Sequence, residues 1–145
     1  FNHESHLRDP SFFSAKIIQG AIQVQRGLIS KILVGDLEAR ADWGYARDFV
    51  EAFQVLARRD VPNDYVIATG ETHTVKEFLS AVFGVFDLDW EDHVQPDPSW
   101  TAKTQNIEMA DPSKIFAETS WRPTLGFEDF VRLLVSDHLS QGKNA

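Results

Sequence analysis

The stretch Asp64–Phe78, DYVIATGETHTVKEF, decides how the rest of the chain is read. Its first half, Asp64–Gly70, is short, β-branched and apolar, and reads as a strand buried on both faces. Its second half reads as a helix. Thr74 and Glu77 stand at capping-box spacing, and Val75, Phe78, Leu79, Val82, Phe83 and Phe86 recur on one face at helical period. A strand buried on both faces needs neighbours. The chain supplies one other plain candidate, Lys31–Gly35 (KILVG), which runs into a Gly-Asp turn. Two short strands do not make a stable sheet alone. The expectation is an α/β chain whose sheet partners lie outside these residues.

Working outward, Ser11 to about Val24 is predicted helical, with Phe13, Ile17, Ala21 and Val24 on one face after a turn at Pro10. Glu38–Arg59 (EARADWGYARDFVEAFQVLARR) reads as a second helix. Its apolar stripe is Phe49, Ala52, Phe53 and Leu56, and Arg58-Arg59 sit where cations favour a helix carboxyl end. Pro62-Asn63 stops it. Asp87–Asp92 reads as a polar loop anchored by Trp90. Asp111–Lys114 (DPSK) offers an N-cap Asp before Pro at the first helical position. A last helix starts near Phe127, with Phe130, Val131, Leu134 and His138 on one side. Phe1–Ser5 (FNHES) is polar and reads as loop. The predicted order is helix, strand, helix, strand, helix, helix, helix, without internal repeats.

Composition narrows the function classes. The chain has 145 residues, 43% hydrophobic and 25% charged, as a globular domain does. Its formal charge of −8 argues against a nucleic-acid partner, since a phosphate backbone needs a basic surface. No apolar run is long enough to span a membrane. With no cysteine, disulfides and thiolate zinc sites are excluded, and a cytoplasmic setting is expected. The five histidines show no metal-ligand spacing, so no metal is expected.

Several long motifs occur together and in order: FNHES at Phe1–Ser5, AKI at Ala15–Ile17, ADWGYARDFVEAF at Ala41–Phe53, DYVIATGETHTVKEF at Asp64–Phe78, DPSK at Asp111–Lys114 and SWRP at Ser120–Pro123. In this they resemble the carboxyl-terminal half of the GDP-mannose 4,6-dehydratase family, within the extended short-chain dehydrogenases/reductases. The resemblance implies the end of an NADP-binding Rossmann-like domain over residues 1–80, with interleaved substrate-binding segments, and a small, mostly helical substrate-binding domain over 81–145. It implies a lyase as parent enzyme. Such an enzyme oxidises its sugar at C4 with NADP, eliminates water across C5 and C6, and returns the hydride at C6. The family's Gly-rich loop and Tyr-x-x-x-Lys pair are not among these residues, and would lie upstream. No catalytic residue is therefore expected here, and these 145 residues are expected to be inactive alone.

By the same resemblance, His3 and Arg8 match cofactor positions, while Asn2, Lys16, Val34, Gly35 and Arg40 match substrate positions. Taken on residue type alone, Asn2 equally fits a turn asparagine, and His3, Arg8 and Lys16 equally fit ordinary surface. Some positions depart from the family pattern. Asp36 stands where the family has Asn. Ala41 stands where it has Arg, with Arg40 one residue earlier. Thr101-Ala102-Lys103-Thr104 stands where it has Arg-Pro-x-Glu. Losing phosphate-binding arginines and gaining an Asp weakens a diphosphate site, so a degenerate, non-catalytic interaction module is the competing expectation. The implied partners are a nucleotide sugar, the upstream half of the enzyme, and further copies of itself.

A chain built to meet a missing sheet exposes apolar area and associates. Sedimentation velocity of residues 1–145 is expected to show dimers or larger species. A monodisperse, cooperatively melting monomer would contradict this.

Overall fold

The computed structural model describes residues 1–99 and 109–141. In chain order the elements are β1 (Asn2–Glu4), α1 (Phe13–Gln25), β2 (Ile32–Val34), β3 (Arg40–Ala41), β4 (Trp43–Tyr45), α2 (Ala46–Ala57), β5 (His73–Thr74), α3 (Val75–Gly84), a 3-10 turn at Trp90–Asp92, β6 (Val94–Pro96), α4 (Ser113–Glu118) and α5 (Phe127–Gln141). The strands form three separate pairs. β1 lies parallel to β4, β2 parallel to β6, and β3 antiparallel to β5. Among the described residues no helix is long and apolar enough to cross a membrane.

Three helices make the main core. α1 contributes Ile17, Ile18 and Ala21, α3 contributes Phe78, Leu79, Val82 and Phe83, and α5 contributes Phe130, Val131, Leu134 and Val135. α3 begins as its sequence predicts: Glu77 N–H donates to Thr74 Oγ1 at 3.1 Å, and Thr74 N–H donates to Glu77 Oε2 at 2.5 Å. The two bonds satisfy two amides the first turn would otherwise leave open. Hydrogen bonds to Thr74 hold the Glu77 carboxyl below its ordinary pKa. A second, smaller cluster joins Ala52 of α2 to Ile115 and Trp121. It is pinned by Asp48, 3% exposed, whose carboxylate accepts from Thr124 N–H at 2.9 Å and Thr124 Oγ1 at 2.7 Å.

Several sequence expectations need correction. Asp64–Gly70 is neither paired as a strand nor buried on both faces. Val66 is 41% exposed and only Ala68 is fully enclosed. No described strand lies beside it to complete a ladder, and its one bond of that kind comes from the Phe1 ammonium to Ile67 O at 3.1 Å. Phe1–Ser5 is not loop throughout, because Asn2–Glu4 finds a partner in Trp43–Tyr45. Glu38–Tyr45 is not helical. Those residues are recruited into β3 and β4, and the helix starts only at Ala46. Its expected stripe is incomplete: Phe49 and Ala52 are buried, but Phe53 is 51% exposed. α4 starts one residue later than predicted, with Asp111 Oδ1 accepting from Ser113 N–H at 2.9 Å. Periodicity missed β6 entirely, since three residues ending in Pro96 carry no strand signature. The apolar exposure expected of the chain is present at Phe1, Val50, Phe53, Val61 and Val66.

The segments Ala41–Gly44 and Ala68–Glu71 are joined by a buried carboxylate. Asp42 is 1% exposed, and its two oxygens accept from Thr69 N–H at 3.0 Å and Gly70 N–H at 2.9 Å. Gly70 turns there with φ 84°, a conformation that favours glycine. At Gly44 the fold has no room for a side chain: a Cβ would stand 2.4 Å from Phe49 Cε2. Removing the clamp leaves two part-buried amides without their acceptors. Asp42→Ala is expected to cost about 3 kcal/mol in urea denaturation. A loss within about 0.5 kcal/mol, as for an ordinary surface change, would contradict that role.

Candidate functional site

One cavity of about 460 Å³ gathers Asn2, Lys16, Val34, Gly35 and Arg40, all five predicted substrate positions. Its geometry follows from the strand pairing. β2 and β6 run parallel, so both carboxyl ends open on the same side. Asp97 N–H donates to Val34 O at 2.7 Å, extending the ladder one residue to the cavity rim. Open α/β sheets place ligand sites at such strand ends. Lys16 comes from the first turn of α1, whose amino end has no side-chain cap and no acidic residue. Phe13, Ile17, Ala41, Trp43 and Val75 supply apolar walls.

The charges in the cavity oppose one another. Arg40 is already engaged: its Nη2 donates to Thr72 O at 3.0 Å. Asp36 and Asp97 line the same cavity as the two cations. Asp36 Oδ1 accepts from Glu38 N–H at 2.9 Å. Asp97 Oδ1 accepts from Ser99 Oγ at 2.6 Å and from Ser99 N–H at 2.9 Å. Those bonds, with a smaller contribution from the Lys16 charge, hold the Asp97 carboxyl below its ordinary pKa, so it is an anion at neutral pH. Lys16 and Arg40 against Asp36 and Asp97 sum to no net formal charge.

The two predicted cofactor residues lie apart from this cavity. His3 is exposed and stacks on Phe49, ring centroids 5.0 Å apart. Arg8 places Nε 3.2 Å from Oε2 of Glu4, which is 4% exposed and also accepts from Ser14 Oγ at 2.6 Å. The Arg8 guanidinium lies over the Phe12 ring, 3.7 Å from its centroid. Ala41 forms part of the cavity wall, where it supplies no charge. Thr101–Thr104 lie outside the described residues. Among the described residues no cluster of His, Asp and Glu has the arrangement to hold a metal. Sequence reasoning missed Ser11 and Asp97 as cavity residues, and treated Trp43 as purely structural. Asp97 carried one usable signal, an Asp-Pro step, but the strand before it was not recognised.

The model of the GDP-mannose 4,6 dehydratase family matches residues 1–134. The chain belongs to that family. GDP-mannose 4,6 dehydratase 1 of Arabidopsis thaliana is 40% identical over 144 residues, covering 99% of this chain and 40% of the plant protein. The Homo sapiens GDP-mannose 4,6 dehydratase is 32% identical over 153 residues, covering 93% of this chain and 41% of the human protein. The chain thus spans about two fifths of the curated relatives it matches, and corresponds to their carboxyl-terminal part. Among solved structures, RMD from Pseudomonas aeruginosa complexed with NADPH superposes with TM-score 0.82 at 18% identity, over 95% of this chain and 45% of that one. UDP-glucose 4-epimerase from Thermus thermophilus, complexed with NAD, gives TM-score 0.74 at 29% identity, over 95% of this chain and 44% of that one. The fold is the carboxyl-terminal part of an extended short-chain dehydrogenase.

The opposed charges make a specific expectation. Asp97→Asn keeps the Oδ1 acceptor for Ser99 but frees Lys16 from a neighbouring anion. Affinity for inorganic pyrophosphate is expected to rise severalfold at low ionic strength, with the gain shrinking in high salt. Unchanged affinity at low salt would show that Asp97 does not weigh on the Lys16 charge.

Proposed function

We propose that this chain is the sugar-nucleotide-binding part of an NADP-dependent, GDP-mannose 4,6-dehydratase-like lyase that converts GDP-mannose to GDP-4-keto-6-deoxymannose. The observation that carries the reading is the convergence of Asn2, Lys16, Val34, Gly35 and Arg40 on one cavity of about 460 Å³, within the range of small-molecule sites. Lys16 supplies a mobile ammonium for phosphate oxygens. The Asn2 amide both donates and accepts. Val34 and Gly35 present backbone at a strand end, suited to the edge of a base. Arg40 reaches a phosphate by exchanging its bond to the Thr72 carbonyl.

The cofactor residues fit an anionic group in part. Arg8 uses Nε towards Glu4, and its two terminal nitrogens have no hydrogen-bond partner among the described residues, leaving a planar fork for a phosphate oxygen. Glu4 offsets its charge while fixing its direction. When bound, the nicotinamide cofactor supplies the hydride acceptor and donor. His3 and Arg8 help to hold it, and the residues that do the chemistry lie outside this chain. In this reading residues 1–80 finish the cofactor domain and residues 81–145 form the substrate domain, in a cytoplasmic homo-oligomer completed by the upstream half.

A specific observation favours a second reading. Asp36 and Asp97 cancel the cavity's cations, and Ala41 adds none, as in an interaction module that has kept its fold and lost its diphosphate site. Titration calorimetry of the chain with GDP-mannose, UDP-glucose and dTDP-glucose separates the two. The enzyme reading predicts GDP-mannose as the tightest ligand, with Lys16→Ala weakening it about tenfold. Binding of none of the three, by the chain alone or joined to its upstream half, would leave only the module.

A further inference from the structure

A second cavity, of about 430 Å³, adjoins the first. The two share Lys16, Ile17, Leu33 and Asp97, so Lys16 stands on their common border. On the far side Gln19 and Gln23 line the second cavity. The helix period puts them there: they follow Lys16 along one stripe of α1. Gln19 is half-buried, and its amide makes no hydrogen bond among the described residues. Gly20 sets the spacing between that stripe and β2. A Cβ there would stand 2.7 Å from Ile32 Cγ2, so the helix backbone rests directly on the Ile32 side chain. Leu33, the next residue of β2, is 47% exposed and lines both cavities.

We propose that the base of the bound nucleotide sugar lies in this second cavity, with the Gln19 side-chain amide paired to its edge, an inference that rests on the reading under Proposed function. A nucleotide sugar carries its two arms at opposite ends of a diphosphate. With the phosphates at Lys16, one arm enters each cavity. The sugar is the arm that meets the nicotinamide. Asn2 adjoins His3 on β1, so the sugar takes the Asn2 side. The base takes the other. Lying against Leu33, it keeps the Val34–Gly35 backbone along one edge and meets Gln19 along another. Guanine offers N1–H as donor and O6 as acceptor side by side. The Gln19 amide oxygen accepts from the first, and its nitrogen donates to the second. A neutral amide suits a neutral base, and an apolar platform with a few placed polar groups is the usual make-up of such a site.

The test is a thermodynamic cycle, measured by titration calorimetry on the chain, alone and joined to its upstream half. Gln19→Ala puts a better helix former at a half-buried helix position, so the fold is kept. It is expected to weaken GDP-mannose and GDP about fivefold. The second arm of the cycle is GDP methylated at N1, which has lost the N1–H. That ligand is expected to bind the wild type about fivefold more weakly than GDP does, and to bind Gln19→Ala about as well as GDP does. An equal methylation penalty in both proteins overturns the inference, because Gln19 then acts without touching the base edge. Unchanged GDP affinity in Gln19→Ala overturns it too, and a loss seen in Gln23→Ala instead would move the contact one turn along α1 and overturn the assignment to Gln19. In each of these cases GDP-mannose still binds the wild type and the functional reading stands. If no nucleotide sugar binds at all, that reading fails and this inference fails with it.

Discussion

The Asp42 carboxylate is the contact on which the rest of the structure depends. It lies in the middle of Arg40-Ala41-Asp42-Trp43, and neighbours on both sides line the cavity. By accepting from Thr69 and Gly70 it fastens that run to the loop that leads into α3. The rest follows in order. The loop returns as β5, which pairs with β3 and lets Arg40 reach the Thr72 carbonyl. Thr74 then caps α3, whose side chains Phe78, Leu79, Val82 and Phe83 fill the core. A buried carboxyl group is costly unless its oxygens meet donors, and here two backbone amides meet them. One short polar side chain thus carries the site wall and the start of the central helix together.

The cavity is built by the β1–β4 pair, the uncapped start of α1 and the parallel ends of β2 and β6. The charges on those elements are balanced. Asp97 is tied down by Ser99 and faces Lys16, and Asp36 takes the turn after β2. A balanced cavity selects ligands by shape and by neutral hydrogen bonds more than by charge.

What could be read from the sequence was what short-range physics specifies. The α3 helix was legible because its capping pair and apolar period lie within a few residues of each other. α1, α5 and the Val34–Gly35 turn were legible for the same reason, and long motifs in order picked out Asn2, Lys16, Val34, Gly35 and Arg40, which line one cavity. Pairing with distant partners left no such trace. Asn2–Glu4 is polar in sequence and becomes a strand only because Trp43–Tyr45 lies alongside. Tyr65–Ile67 looks like a buried strand, but backbone hydrogen bonds to neighbours make a strand, and among the described residues only the Phe1 ammonium bonds this backbone. Asp42 carries no mark of its role in the sequence. Its burial depends on Thr69 and Gly70, 27 and 28 residues away.

Hydrogen exchange at two adjacent sets of amides tests the central claim most directly. Thr69 and Gly70 donate to Asp42, whereas the Val66 amide has no acceptor among the described residues. The account predicts exchange at Thr69 and Gly70 as slow as in the buried turns of α3, with Val66 exchanging near the unprotected rate. Equally rapid exchange at all three amides would mean that the Asp42 clamp does not hold the loop in solution, and would contradict the account.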